Sequence, residues 1–223
     1  MSGSDLFVAD LNGDSVTEVS ASTGALVRVI LGSSYKFDNP DALAVSGPDL
    51  FVTNAKGNSV TEVRTNTGAL VRVIAGSSYK FNGPDALAVS GPDLLVANAK
   101  GNSVTEVRTT TGALVRVITG SSYKFNGPDA LAVSGPDLLV ANAKGNSVTE
   151  VRTTTGALVR VITGSSYKFN GPDALAVSKG DLLVANYGNA AANLLGSITE
   201  AKTATGSLLR VISGSSYKGH PGP

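Results

Sequence analysis

Residues 93–98 read Asp-Leu-Leu-Val-Ala-Asn, an apolar run of strand length, and residues 99–102 carry the turn chemistry Ala-Lys-Gly-Asn. Over residues 103–109 Val and Thr alternate with Ser, Glu and Arg, as on a pleated surface. Thr110, Thr111 and Gly112 predict a three-residue hairpin loop closed by a left-handed Gly, which leads into a third strand over 113–118. One long connection, 119–128, follows with Gly120, Ser121, Ser122, Tyr123, Lys124, Phe125, Asn126 and Gly127. It ends in Asp129, Ala130, Leu131, Ala132, Val133 and Ser134, whose alternating small and branched side chains suit a slim inner strand. Gly135 and Pro136 then turn the chain into a copy of the first run. The pattern predicts antiparallel strands, here named B, C, D and A in chain order, with no helical periodicity between them.

This pattern is written five times, over residues 3–46, 47–90, 91–134, 135–178 and 179–218, with a tail at 219–223. Residues 135–178 repeat 91–134 without a change, and 47–90 differ from them only at Phe51, Thr53, Asn66 and Ala75. Four strands in a 44-residue repeat is the spacing of a propeller blade. A parallel β-solenoid is the structural alternative, but its coils need no tight hairpin and each repeat here has two. The expected fold is all-β, a five-bladed β-propeller of 44-residue repeats forming one domain over 1–223. Strand A begins only at Asp41, Asp85, Asp129 and Asp173, so one blade is expected to lack its innermost strand. The expected answer to that gap is a monomer with one three-stranded blade; the alternatives are a fragment of a longer array or a strand-completing homo-oligomer. Extra residues within 187–196 of the fifth repeat, including Leu194 and Leu195, read as a lengthened hairpin in preference to a partner contact through the adjacent leucines.

The repeats also carry a family resemblance. Phe51, Val52, Thr53 and Asn54, followed by Gly57, Asn58, Ser59 and Val60, resemble the signature of YVTN-type bacterial β-propellers. Val96, Ala97 and Asn98 with Gly101 and Asn102 are similar to the related NHL repeat. The resemblance implies a propeller with an interaction role. WD40 and kelch patterns do not fit, because there is no Trp and the single His, His220, lies in the tail.

Composition narrows the function classes. Charged residues make up 16% of the chain and the net charge is +1, which argues against bulk polyanion binding. The absence of Cys excludes disulfides and thiolate metal sites. No apolar run approaches a membrane span, and residues 1–5 show neither the basic region nor the apolar core of a signal peptide, so a soluble chain with no visible export signal is expected.

Antiparallel alternation sorts the loops into two faces. The D–A and B–C connections share one, which is expected to gather Tyr35, Tyr79, Tyr123, Tyr167 and Tyr217 with Lys36, Lys56, Lys80, Lys100, Lys124, Lys144, Lys168 and Lys218. Repeated Tyr, Lys and Asn suit a glycan or a protein or peptide ligand, contacted once per blade with the avidity of a multivalent surface. Tyr123 and Phe125 have a structural alternative as wedges between blades, the stronger reading for Phe. Nucleic acid ranks lower, since Asp14, Asp38, Asp41, Asp85, Asp129 and Asp173 dilute the positive potential.

Carboxylates offer less. A three-residue C–D loop would place Thr109 opposite Ala113 and Glu106 opposite Arg116, and the same count pairs Glu18 with Arg28, Glu62 with Arg72, Glu150 with Arg160 and Glu200 with Arg210. Every Glu is thereby assigned to a cross-strand ion pair on an outer strand, worth roughly 0.2–1 kcal/mol. Asp10, Asn12 and Asp14 resemble the start of a calcium loop, but a variant hairpin turn is the preferred reading. Asp85, Asp129 and Asp173 follow Gly-Pro and either hold a cation at the channel mouth or bond their own turn. No repeat contains His or Cys, and no carboxylate pair stands apart from the repeat background to act as acid and base. Lactonase-type propellers resemble this architecture, and the resemblance would imply a metal held by Glu, Asn and Asp, for which no unique set is present. The reading is a non-enzymatic binding or scaffolding propeller without a cofactor; the alternative is a recently amplified or designed symmetric array with no dedicated ligand.

Overall fold

The structure, a computed structural model, describes residues 5–188 and 196–213. Its strands form five antiparallel sheets, one of three strands and four of four, the blades of a five-bladed all-β propeller. Leu194, Leu195, Tyr217, Lys218 and the tail lie outside the described residues. The chain divides into two compact units, Met1–Ile118 and Thr119–Pro223.

The first unit holds three blades. Blade 1 is β1 (Asp5–Asp10), β2 (Ser15–Ser20) and β3 (Leu26–Ile30). Blade 2 is β4 (Pro40–Ser46), β5 (Asp49–Asn54), β6 (Ser59–Arg64) and β7 (Leu70–Ile74). Blade 3 is β8 (Pro84–Ser90), β9 (Asp93–Asn98), β10 (Ser103–Arg108) and β11 (Leu114–Ile118). Blade 1 is the three-stranded sheet and has no strand A among the described residues, as the repeat count predicts. In the second unit, blade 4 is β12 (Pro128–Ser134), β13 (Asp137–Asn142), β14 (Ser147–Arg152) and β15 (Leu158–Ile162). Blade 5 is β16 (Pro172–Ser178), β17 (Asp181–Asn186), β18 (Ser197–Lys202) and β19 (Leu208–Ile212). The D–A connection also contains a single 3-10 turn at Ser121–Tyr123, and again at Ser165–Tyr167, which the β-type pattern does not announce.

Apolar alternation builds the core between blades rather than within them. On one side Phe51, Val60, Ile74 and Phe81 of blade 2 and its outgoing loop meet Leu94, Val96 and Val107 of blade 3. Val16, Ile30 and Phe37 meet Leu50, Val52 and Val63 in the same way, and in the second unit Leu139, Val148, Ile162 and Phe169 meet Leu182 and Val184. Each of these side chains is nearly or fully buried, worth roughly 1.5–3 kcal/mol apiece for the larger ones. The Phe residues wedge between blades, as expected.

The C–D hairpin differs from its expected form. Arg108 N–H bonds Ala113 O at 2.9 Å and Gly112 N–H bonds Arg108 O at 2.8 Å, so the loop has four residues and Ala113 faces Arg108, not Thr109. A bulge between Glu106 and Val107 then restores the count, and Glu106 does face Arg116. Gly112 makes this turn possible at φ +70, and a Cβ there would meet Arg72 Cδ at 3.1 Å.

Candidate functional site

Strand B ends in an Asn that is fully buried in blades 2 to 4, at Asn54, Asn98 and Asn142. Its amide donates to two hydroxyls of strand C: Asn98 Nδ2 lies 3.2 Å from Ser103 Oγ and 3.0 Å from Thr105 Oγ1. Thr105 Oγ1 donates in turn to Tyr79 O at 2.8 Å, and Thr61, Thr149 and Thr199 bond Tyr35, Tyr123 and Tyr167 in the same way. This buried chain of bonds pins the long D–A loop to the blade it enters. A second fastening comes from the B–C turn, where Asn58 sits at φ 49 and its Oδ1 accepts Gly83 N–H at 2.9 Å. Asn146 does the same for Gly171. These contacts give the resemblance-bearing residues, an Asn at the strand end and Gly-Asn-Ser in the turn, a shared structural role in fastening the D–A loop.

The tyrosines are not displayed on the loop face. Each is half-buried, its ring stacked on the Phe two residues later with centroids 5.4 Å apart. The hydroxyls of Tyr35, Tyr79, Tyr123 and Tyr167 donate to the carbonyls of Gly68, Gly112, Gly156 and Gly206 at 2.7–2.9 Å. Those glycines belong to C–D hairpins, so each ring runs along a blade junction towards the side opposite the expected one.

The lysines are exposed. Lys36, Lys80, Lys124 and Lys168, each directly after its Tyr, have φ of 54–55, the left-handed region that favours glycine. Lys56, Lys100 and Lys144 project from the B–C turns, and the stem of Lys100 covers Gly83, where a Cβ would lie 2.9 Å from its Cγ. The D–A and B–C loops do meet, as alternation predicts: in the first unit they enclose a cleft of about 690 Å³ that includes Asp14, Ser33, Lys36, Phe37, Asp38 and Val73. The second unit repeats it as a cleft of about 520 Å³ with Ser165, Lys168, Phe169, Asn170 and Val211. Each cleft has a Phe beside a lysine and a hydroxyl, and an Asp or Asn at the matching place.

The acidic candidates serve the fold. Asp10 Oδ1 accepts Gly13 N–H at 2.9 Å and Asn12 N–H at 3.3 Å, and Asp14 Oδ1 accepts Asn39 N–H at 2.8 Å. The glutamates form the expected ion pairs, at 2.8 Å for Glu18 with Arg28, 3.1 Å for Glu62 with Arg72, 3.0 Å for Glu106 with Arg116 and 2.8 Å for Glu150 with Arg160; Glu200 pairs with Arg210. Their setting differs from an exposed outer strand, because Glu18, Glu62, Glu106 and Glu150 are buried. Burial pushes the Glu62 carboxyl from its ordinary 4.5 up to about 7, against the pull of Arg72 and with a further push from Asp49. Glu18, Glu106 and Glu150 are raised for the same first cause. In the second unit, partial burial and then the neighbouring Asp129 raise Asp173. Among the described residues no three His, Cys, Asp or Glu side chains cluster as metal ligands.

Sequence reasoning missed the buried Asn-Ser-Thr chain, whose signal was Asn closing an apolar strand opposite two hydroxyls. It also missed the left-handed lysines, for which Lys gives no cue.

No protein-family model and no curated protein matches the chain. Solved propeller structures do. RRP9 WD40 repeats are similar with a TM-score of 0.74 at 15% identity, covering 93% of this chain and 59% of that one. A chain of the nidogen/laminin complex gives 0.73 at 13%, covering 96% and 77%. Hydrazine synthase of Kuenenia stuttgartiensis gives 0.67 at 24%, covering 79% of this chain, which spans about half (49%) of that chain's own length. These likenesses establish the β-propeller fold.

Proposed function

We propose that this chain is a non-enzymatic β-propeller, of the YVTN/NHL kind its repeats resemble, that binds a protein or peptide ligand rich in acidic side chains on its D–A and B–C loop face. The observation that carries the reading is the set of four exposed lysines at φ 54–55, two of them lining equivalent clefts. An L-residue in that region costs roughly 1–2 kcal/mol, and backbone strain of this kind is a pointer to function. A lysine beside a hydroxyl and an apolar floor suits a carboxylate with an aliphatic stem. One of the similar structures is itself a protein–protein complex, of nidogen and laminin, which supports a protein ligand. Sugar stacking is less favoured because the tyrosine rings already stack on Phe. Near-interchangeable repeats support binding over catalysis, since reacting groups differ in role.

Arrays of acidic, neutral and basic peptides, with a glycan array beside them, test this reading against the wild type and a Lys36→Gly, Lys80→Gly, Lys124→Gly, Lys168→Gly variant. Retention of acidic peptides by the wild type, lost in the variant, is expected. Retention of glycans instead, equal retention by both proteins, or no retention at all overturns it, the last outcome favouring an array without a dedicated ligand.

A further inference from the structure

The cleft between blades 1 and 2 differs from its counterpart in the residues that carry charge. Its lining includes Asp14, Leu31, Lys36, Phe37 and Asp38, all within the first unit. Other repeats hold Asn58, Asn102 and Asn146 at the position of Asp14, and Asn82, Asn126 and Asn170 at that of Asp38. At the position of Leu31 they hold Ala75, Thr119 and Thr163. The equivalent cleft of the second unit has Lys168 and Asn170 and no acidic residue in its described lining. One lysine there stands against one lysine and two aspartates here, so the lining charge changes sign.

The fold does not need those aspartates to be charged. Asp14 Oδ1 accepts Asn39 N–H at 2.8 Å, and the uncharged Asn58 Oδ1 accepts Gly83 N–H at 2.9 Å in the same way. Asp38 serves its turn through its backbone carbonyl, which accepts the N–H groups of Lys56 and Gly57 at 3.3 Å, as Asn82 O does for Lys100 and Gly101. Among the described residues none of Asp14, Lys36 and Asp38 has an ion-pair partner. Two carboxylates without a counter-ion thus share a cleft with an apolar wall that the other repeats do not build. We propose that this cleft is a subsite for a lysine or arginine side chain of the ligand, its cationic head held by Asp14 and Asp38 and its aliphatic stem laid on Leu31 and Phe37. The inference rests on the acidic-peptide reading and refines it. Lys36 takes an acidic side chain beside the basic one, so the preferred segment is acidic with one basic residue that anchors it at the junction of blades 1 and 2.

Fluorescence anisotropy titrations of two labelled peptides test this: a glutamate-rich segment carrying one lysine, and the same segment with norleucine, which keeps the stem and lacks the ammonium. Each is titrated with the wild type and with an Asp14→Asn, Asp38→Asn variant. That variant folds, because it carries the residues other repeats hold at these positions, and circular dichroism confirms it. The wild type is expected to bind the lysine peptide about threefold or more tighter than the norleucine peptide, and the variant to lose that preference. Overall charge does not produce such a preference, since the added lysine weakens attraction to the exposed lysines of the loop face. Equal or weaker binding of the lysine peptide by the wild type overturns the subsite, as does a preference that survives in the variant; in both cases the acidic-ligand reading stands. Binding of neither peptide overturns both.

Discussion

The Tyr79 hydroxyl donates to the carbonyl oxygen of Gly112 at 2.9 Å, joining the loop before blade 2's successor to the hairpin at that blade's far side. The bond is partly buried, and its acceptor sits in a left-handed turn. Tyr79→Phe keeps the ring stacked on Phe81 and deletes only this bond. A loss of about 1 kcal/mol is expected in urea denaturation, with acidic-peptide retention unchanged. Lost retention at full stability would return the tyrosines to the ligand face.

The buried glutamates make stability fall as pH rises. Glu62 titrates near 7 in the folded chain against an ordinary 4.5, so between those values the folded state holds a proton that the unfolded chain has released. Stability from this group is complete below about 4.5 and is lost as pH climbs through 7. Denaturation midpoints measured from pH 4.5 to 8 should decline, and Glu62→Gln should make the decline shallower. A midpoint that rises over that window would contradict the assignment.

Thr105 both accepts from Asn98 and donates to Tyr79 O. Thr105→Val preserves shape and strands both partners inside the protein. A cost of about 1–3 kcal/mol is expected, together with faster hydrogen exchange at Tyr79 N–H, which bonds Gly76 O in the loop that Thr105 holds. Unchanged exchange there would show that the loop is held by other contacts.

Function and stability part company at the lysines. Lys80→Gly removes a side chain from φ 55 without disturbing a buried contact. The variant should be at least as stable as the wild type, gaining up to about 1 kcal/mol in chemical denaturation. A destabilised variant would mean that the lysine stem contributes packing.

Strand identity and order were legible because repetition printed the same alternation several times, and residues 93–98 form β9 as read. The Glu106–Arg116 pairing was legible too, although for an incomplete reason: a longer loop and a bulge cancel in the count. Burial of those glutamates was hidden, since pairing within a sheet does not tell which residues the next blade will cover. The site was half legible. Alternation correctly brought the D–A and B–C loops together, but the direction of Tyr79 depends on Gly112, in another blade, and the φ of Lys80 on a loop conformation that no side-chain pattern encodes.

The most direct test of a lysine-lined binding face is a fluorescence anisotropy titration of a labelled glutamate-rich decapeptide with the wild type and with the four-site Lys→Gly variant. Saturable binding to more than one site per chain is expected, weakened by added salt and by about tenfold or more, or about 1.4 kcal/mol, in the variant. Binding of equal strength in both proteins, or none in the wild type at low salt, would contradict the account.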